Sequence, residues 1–146
     1  MKPLNILLAD DDKDDRFFFQ KALDALDIQH HFATVEDGEK LMTHLKKNAK
    51  SLPDVLFLDL NMPRKNGTEC LSEIKLNAKL KGLPVVIYST SLHKEIADQL
   101  HKTGAHYYIQ KDELDKLIKM LTKTFALLKE NGKQPGRDKF VISDKK

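Results

Sequence analysis

The pattern of this chain is set by Leu4-Asn5-Ile6-Leu7-Leu8-Ala9, an apolar run that is followed at once by Asp10-Asp11-Asp12. A short run of this kind is typical of a β-strand that is buried on both faces of a parallel sheet. The acids after it would lie at the carboxyl end of the strand, where ligands bind in proteins that alternate strands and helices. The pattern therefore predicts an α/β architecture with a polar site at the strand ends.

Further apolar runs have the length of strands, and segments with helical spacing follow them. The runs are His31–Val35, Val55–Leu58, Val85–Tyr88 and Tyr107–Ile109. The clearest helix is predicted over Asp112–Lys129, where Asp112 suits the N-cap and Asn131-Gly132 suits the C-terminal stop. Five alternations of strand and helix predict a doubly wound, five-stranded parallel sheet in the flavodoxin-like order 2-1-3-4-5, with helices on both faces.

The composition fits one domain with a single core. The chain has 146 residues, of which 40% are hydrophobic and 32% are charged. It contains no run of about 18 apolar residues, which would be needed to span a membrane, and its first residues lack the character of a secretory signal. Cys70 is the one cysteine and cannot form an internal disulfide, so we expect a reduced, cytoplasmic protein.

The charge is unevenly distributed, since the net charge of +3 comes from residues 129–146 and the rest of the chain is neutral. We predict a domain over residues 1–131 and a polar, basic C-terminal tail over residues 132–146. Within this tail, Phe140-Val141-Ile142 forms a small apolar island. The favoured interpretation is a solvated tail, and contact with an acidic partner is the alternative. A net charge this small gives no support to direct DNA binding.

Polar residues stand where four of the predicted strands end. They are Asp10 and Asp11 after strand 1, Asp59 after strand 3, Ser89 after strand 4 and Lys111 after strand 5. Strands 1 and 3 are neighbours in the predicted order, so their acids would share one pocket. Carboxylates this close cannot all stay ionised without a cation, and oxygen ligands at an open, wet site suit Mg²⁺. The Ser89 hydroxyl and the Lys111 ammonium would complete a site for a phosphoryl group on Asp59.

Each of these residues also has a simpler interpretation. Acids that follow a strand often form turns or cap helices, and Asp12 or Asp14 suits the cap of the first helix. A lone aspartate can start a loop, and a lone lysine is usually solvated. The functional interpretation therefore depends on the four strand ends taken together rather than on any single residue.

Four motifs resemble the signature of response-regulator receiver domains, over about residues 4–128. They are Leu7-Leu8-Ala9-Asp10-Asp11, Leu58-Asp59-Leu60-Asn61-Met62-Pro63 with Gly67, Pro84-Val85-Val86-Ile87-Tyr88-Ser89, and Tyr108-Ile109-Gln110-Lys111. The resemblance implies that Asp59 takes a phosphoryl group from a phosphohistidine on a sensor histidine kinase. It also implies that Asp11, Asp59 and the Asn61 carbonyl bind Mg²⁺ directly, and that Asp10 acts through a coordinated water.

The resemblance assigns roles to three more residues. Ser89 would bond one phosphoryl oxygen, Lys111 would pair with another, and Tyr108 would be the switch aromatic that turns inward when Ser89 moves. One position departs from the family, because Asp112 follows Lys111 where the family usually has a proline joined by a cis bond. A cis bond without proline costs about 3–4 kcal/mol, so this peptide is expected to be either trans or strained.

The function that the resemblance implies is that of a stand-alone receiver, similar to chemotaxis receivers and to those that accompany bacterial phytochromes. Such a protein is a phosphoacceptor in a two-component system and catalyses only its own phosphorylation and dephosphorylation. Its partners would be a sensor histidine kinase or phosphotransfer protein and a downstream protein target, with no DNA or membrane contact. The face around Tyr108, with the helices Lys94–Thr103 and Asp112–Lys129, is predicted to bind that target or to form a homodimer.

Three alternatives imply different chemistry. A degenerate receiver would bind partners without phosphorylation, and the departure at Asp112 leaves it open. A dehalogenase-type phosphatase would also use a Mg²⁺-bound aspartate, but it needs an acid at position 61, where this chain has Asn61, and a nucleophile on strand 1. A flavodoxin-like cofactor binder needs a first loop that cradles phosphate, whereas Asp10-Asp11-Asp12 would repel it.

Overall fold

The computed structural model describes residues 2–130 and 132–144, which form one parallel sheet covered by helices on both faces. In chain order the strands are β1 (Leu4–Ala9), β2 (His30–Val35), β3 (Val55–Leu58), β4 (Val85–Ser89), β5 (Tyr107–Gln110) and β6 (Val141–Ile142). The helices are α1 (Lys13–Asp24), α2 (Gly38–Lys47), α3 (Gly67–Leu76), α4 (Lys94–Thr103) and α5 (Leu114–Glu130), and a short 3₁₀ helix covers Arg137–Lys139. The strands lie side by side in the order β2-β1-β3-β4-β5-β6.

Two apolar layers enclose the sheet because successive side chains of its central strands point to opposite faces. Leu7 and Leu56 belong to the layer beneath α2, α3 and α4. Leu8 and Phe57 belong to the layer beneath α1 and α5. All four side chains are at most 1% exposed, as the continuous apolar runs predict for strands covered on both sides. Within the described ranges, no helix has the length and apolar character needed to cross a membrane.

Polar side chains cap the N-termini of α1 and α3, the helices that follow β1 and β3. The Asp12 carboxylate caps α1 by accepting hydrogen bonds from the N–H groups of Asp14 and Asp15, at 2.8 and 3.1 Å. Asn66 and Glu69 form a reciprocal capping box at the start of α3. Of the two candidate caps for the first helix, Asp12 is therefore the one that the structure supports.

The predicted element boundaries agree closely with the structure. β1 and β3 have the predicted bounds, while β2, β4 and β5 are each one residue longer. α5 begins at Leu114, two residues after the predicted start, and the Asp112 carboxylate accepts a hydrogen bond from the Glu113 N–H at 2.8 Å. Asp112 therefore precedes the N-cap position instead of filling it. The predicted stop at Asn131-Gly132 includes Asn131, which lies outside the described residues.

The prediction of five strands is wrong, because β6 pairs in parallel with the outer edge of β5. Phe140, just before β6, is fully buried, and its carbonyl accepts a hydrogen bond from the Tyr108 N–H at 3.0 Å. Gln134 donates to two backbone carbonyls of the domain, and Arg137 pairs with Asp98 of α4. The interpretation of a solvated tail is therefore wrong for residues 134–142, which we call the C-terminal segment.

Candidate functional site

The carboxyl ends of β1 and β3 bring three acids into one pocket. These strands are neighbours in the sheet, with Ala9 opposite Leu58, so the residue that follows each strand lies beside the other. One carboxylate oxygen from each of Asp10, Asp11 and Asp59 lies within 4.8 Å of the other two. Asp10 and Asp59 are only 0% and 4% exposed, whereas Asp11 is open to solvent. The predicted acidic pocket is present, with two buried members and one exposed member.

Backbone hydrogen bonds fix the two buried carboxylates. Asp10 accepts from the Asp12 N–H at 2.9 Å, and Asp59 accepts from the Asn61 N–H at 3.3 Å. The Arg16 side chain donates to the backbone carbonyl of Asp10 at 2.8 Å. These contacts orient the carboxylates toward the pocket while leaving oxygen atoms available for a cation. The backbone carbonyl of Asn61 as a metal ligand stays a prediction.

Lys111 reaches into this pocket from the end of β5. Its ammonium lies 2.8 Å from Asp10 Oδ2, 2.8 Å from Asp15 Oδ2 and 3.4 Å from Asp59 Oδ2. The Lys111 N–H donates to the Ser89 carbonyl at 2.7 Å, which fixes the backbone beside β4. The Lys111–Asp112 peptide is trans. Lys111 therefore still reaches Asp59, although Asp112 stands where the family usually has a proline and the peptide is trans.

Burial sets the electrostatics of the pocket. Loss of solvent raises the pKa of Asp59 to about 6, with Lys111 opposing the shift. The pKa of Asp10 is also raised, mainly by burial. Burial disfavours the charged form of Lys111, but its bonds to Asp10 and Asp15 outweigh this effect and raise its pKa. The protein therefore holds a cationic ammonium among crowded acids that still favour an additional cation.

Ser89 and Gly67 shape the wall of the pocket. Ser89 is fully buried, and its hydroxyl forms no hydrogen bond of good geometry within the described residues, although it lies close enough to the Tyr108 phenol to oppose the rise in the pKa of that group. A buried hydroxyl without a hydrogen bond destabilises the folded state unless another group forms a hydrogen bond with it. At Gly67, an added Cβ would lie 2.2 Å from the Asp59 carbonyl oxygen, so any larger residue would displace the phosphoacceptor loop. The glycine of the predicted motif is thus explained by close approach.

Tyr108 is buried in this structure and is only 1% exposed. The predicted inward turn of its ring when Ser89 moves stays a prediction. The Tyr108 hydroxyl donates to the Ser91 carbonyl in the loop after β4, and the Tyr108 ring packs 6.2 Å from that of Phe140. The structure therefore shows Tyr108 in the inward position, covered by the C-terminal segment.

The sequence did not reveal Asp15 as a member of the site. Asp15 lies in the first turn of α1, and its carboxylate is partly exposed. A signal was available, because Asp15 lies in the first turn of the helix that follows β1, only a few residues after the acids of the pocket. The run of five acids in this region instead made each additional acid look like a solvated or capping residue.

The pKa of Asp59 predicts a specific pH dependence of stability. In metal-free buffer, the folded protein binds the Asp59 proton up to pH about 6, whereas an unfolded aspartate loses it near pH 3.9. The folded state therefore binds more protons in this interval, and the Asp59 contribution to stability is lost as the pH rises from about 4 to about 6. Thermal melts of the protein and of Asp59→Asn across this range should show a difference that changes with pH. If the melting temperatures of the two proteins change with pH in parallel, the raised pKa of Asp59 and the burial that causes it would be contradicted.

Comparisons with known proteins agree with this geometry. Residues 6–122 match the family model of the response regulator receiver domain. Response regulator Rcp1 of Synechocystis sp. (strain ATCC 27184 / PCC 6803 / Kazusa) is 34% identical over 124 residues, which are 82% of this chain and 84% of Rcp1. The crystal structure of the phosphorylated cyanobacterial phytochrome response regulator RcpA is 33% identical, with a TM-score of 0.76 over 87% of this chain and 94% of RcpA. The Mn²⁺-bound form of Rcp1 is 32% identical, with a TM-score of 0.77 over 92% of this chain and 100% of that chain.

Proposed function

Because the chain belongs to the response-regulator receiver family, we propose that it accepts a phosphoryl group on Asp59 from a sensor histidine kinase and signals by a conformational switch. The observation that carries the proposal is the pocket in which Asp10, Asp11 and Asp59 converge with the Lys111 ammonium. A buried carboxylate beside metal-binding acids and a fixed cation has the groups that phosphoryl transfer requires.

The proposed reaction takes place at a side-chain oxygen of Asp59. This oxygen attacks the phosphorus of a phosphohistidine, and a new P–O bond forms. The P–N bond breaks, and its electron pair stays on the imidazole nitrogen of the kinase or phosphotransfer protein. Hydrolysis later breaks the bond to Asp59 when water attacks phosphorus, which releases inorganic phosphate and restores the carboxylate. The protein would thus catalyse only its own phosphorylation and dephosphorylation.

The proposed metal is Mg²⁺, for which the all-oxygen donor set is suited. Asp11, Asp59 and the Asn61 carbonyl would hold it directly, and Asp10 through a water. When bound, the ion would offset the negative charge of the acids and of the phosphoryl oxygens. The Mn²⁺-bound form of Rcp1 supports a divalent cation in a relative of this chain.

Ser89, Lys111 and Tyr108 have proposed roles after transfer. The buried Ser89 hydroxyl would bond one phosphoryl oxygen, and Lys111 would pair with another. Movement of Ser89 would change the loop after β4, to which the Tyr108 hydroxyl is bonded. The output surface would then be the face of α4, β5 and α5, with the C-terminal segment as part of it. This face would bind the downstream protein or form a homodimer.

Acetyl phosphate, a small-molecule phosphodonor, tests the proposal without the cognate kinase. With Mg²⁺ we expect the addition of one phosphoryl group, measured by intact mass. EDTA should prevent the addition because the acids then repel the donor, and Asp11→Asn should slow it strongly because a direct metal ligand is lost. Labelling that continues unchanged in EDTA would contradict the metal assignment.

The outcome also decides among the alternatives. The match to the receiver family over residues 6–122 removes support from the phosphatase and from the flavodoxin-like cofactor binder. A degenerate receiver stays the alternative function, since it shares the fold. Complete absence of labelling by acetyl phosphate and by phosphorylated kinases, in folded protein with Mg²⁺, would favour it.

A further inference from the structure

Lys111 has one ionic partner that lies outside the proposed metal and phosphoryl site. Its ammonium is as close to Asp15 as to Asp10, at 2.8 Å in each case, and farther from Asp59, at 3.4 Å. The Lys111 side chain is 10% exposed and that of Asp15 is 32% exposed. In the described part of the chain, Asp15 therefore supplies a close counter-charge on the α1 side of the pocket.

The structure holds both members of this pair in place. The Asp15 N–H donates to the Asp12 carboxylate at 3.1 Å, which anchors Asp15 to the capped first turn of α1. The Lys111 backbone is bonded to Ser89, and its ammonium lies 5.2 Å from the centre of the Tyr88 ring. The contact between Asp15 and Lys111 is thus formed by anchored groups, not by two freely rotating surface side chains.

We propose that Asp15 is a positioning residue that competes with the phosphoryl group for the Lys111 ammonium. This inference rests on the proposed function. Asp15 holds the ammonium toward α1 in the unmodified protein, and the ammonium must exchange this carboxylate for a phosphoryl oxygen when Asp59 is modified. Asp15 therefore weakens the contact that stabilises the phosphorylated state, while it draws the ammonium away from the acids that would bind the metal.

Removal of the Asp15 charge is expected to change the affinity for a phosphoryl analogue and the affinity for Mg²⁺ in opposite directions. Without the Asp15 charge, the ammonium loses one of the carboxylates that compete with the phosphoryl group, so a phosphoryl analogue should bind more tightly. The same ammonium would then also compete more strongly with a cation for Asp10 and Asp59, so Mg²⁺ alone should bind more weakly. A residue that only stabilises the fold would not separate these two affinities in opposite directions.

The experiment compares Asp15→Asn with Asp14→Asn. Both variants remove one acid from the first turn of α1, but Asp14 is exposed, and the ion pairs of Lys111 among the described residues are with Asp10, Asp15 and Asp59. Calorimetry should measure the dissociation constant of Mg²⁺ alone and that of beryllofluoride at saturating Mg²⁺. For Asp15→Asn, we expect beryllofluoride to bind roughly 2-fold to 5-fold more tightly, the scale of a partly exposed ion pair. Mg²⁺ should bind more weakly, and Asp14→Asn should change both constants much less.

The same comparison in a Lys111→Met protein shows whether the change in affinity depends on the Lys111 ammonium. There, Asp15→Asn should no longer tighten the binding of beryllofluoride, because no ammonium remains to be released. A gain that persists without Lys111, or an equal gain in Asp14→Asn, would overturn the inference. If Asp15→Asn does not fold, as judged by circular dichroism, Asp15→Ser provides the same comparison. Failure of the parent protein to bind beryllofluoride would instead contradict the proposed function.

Discussion

Asp59→Asn is expected to abolish phosphorylation by acetyl phosphate, with no added mass where the parent protein gains one phosphoryl group. An amide is a far weaker nucleophile than a carboxylate, and the substitution keeps the size and shape of the side chain. Asp59 is 4% exposed and its carboxylate is held by the Asn61 N–H and by Lys111. Among the described residues, Asp10 is the one other buried carboxylate with a neighbouring ammonium, and the proposal assigns it to the metal.

The control for this variant is Asp24→Asn. Asp24 is the last residue of α1 and its side chain is 62% exposed, so the substitution removes one negative charge far from the pocket. It should leave labelling unchanged. A thermal melt tests whether the variant fails to be labelled because it is unfolded. In metal-free buffer at pH 7, Asp59→Asn should melt at the same temperature as the parent or higher. Stoichiometric labelling of Asp59→Asn would mean that another residue is the phosphoacceptor.

Phe140→Ala is expected to lower the free energy of unfolding by about 3–5 kcal/mol, the usual range for a fully buried phenylalanine. The Phe140 ring is 0% exposed and packs 5.3 Å from His101 and 6.2 Å from Tyr108, measured between ring centres. Its loss would leave a cavity between α4, β5 and the C-terminal segment. This is a large fraction of the stability of a typical domain, which is about 5–15 kcal/mol.

Urea denaturation of Phe140→Ala should be compared with that of Phe17→Ala. Phe17 is the same residue type but is 63% exposed on α1, so its substitution should change the free energy of unfolding by less than about 0.5 kcal/mol. A similarly small effect at Phe140 would mean that the C-terminal segment is only loosely attached. A large effect would establish the segment as part of the core rather than as an appendage.

The strand ends of the fold were predictable because burial on both faces leaves continuous apolar runs. The same runs located Asp10, Asp59 and Lys111, since the residue that follows a parallel strand always lies at the ligand edge of the sheet. β6 was not predictable in this way, because two residues, Val141 and Ile142, are too short for a period to be recognised. Its signal was the preceding Phe140, whose burial depends on a cavity that the rest of the fold creates.

The pair of Asp15 and Lys111 was missed for a different reason. The two residues are separated by 96 positions, and only the folded sheet brings the end of β5 beside the start of α1. The inward position of Tyr108 was also beyond the sequence, because it depends on a hydrogen bond to the Ser91 carbonyl and on the cover that Phe140 supplies. Local patterns predict elements and their ends, whereas these contacts depend on the assembled tertiary structure.

The position of β6 also has a consequence for aggregation. β6 occupies the outer edge of β5, and the C-terminal segment covers the Tyr108 ring. If this segment detaches, the backbone groups along that edge of β5 lose their partners and the ring is uncovered. An exposed sheet edge of this kind is a usual route by which one chain pairs with another. Substitutions that loosen the segment, such as Phe140→Ala, should therefore increase the tendency of the protein to aggregate, which light scattering would detect.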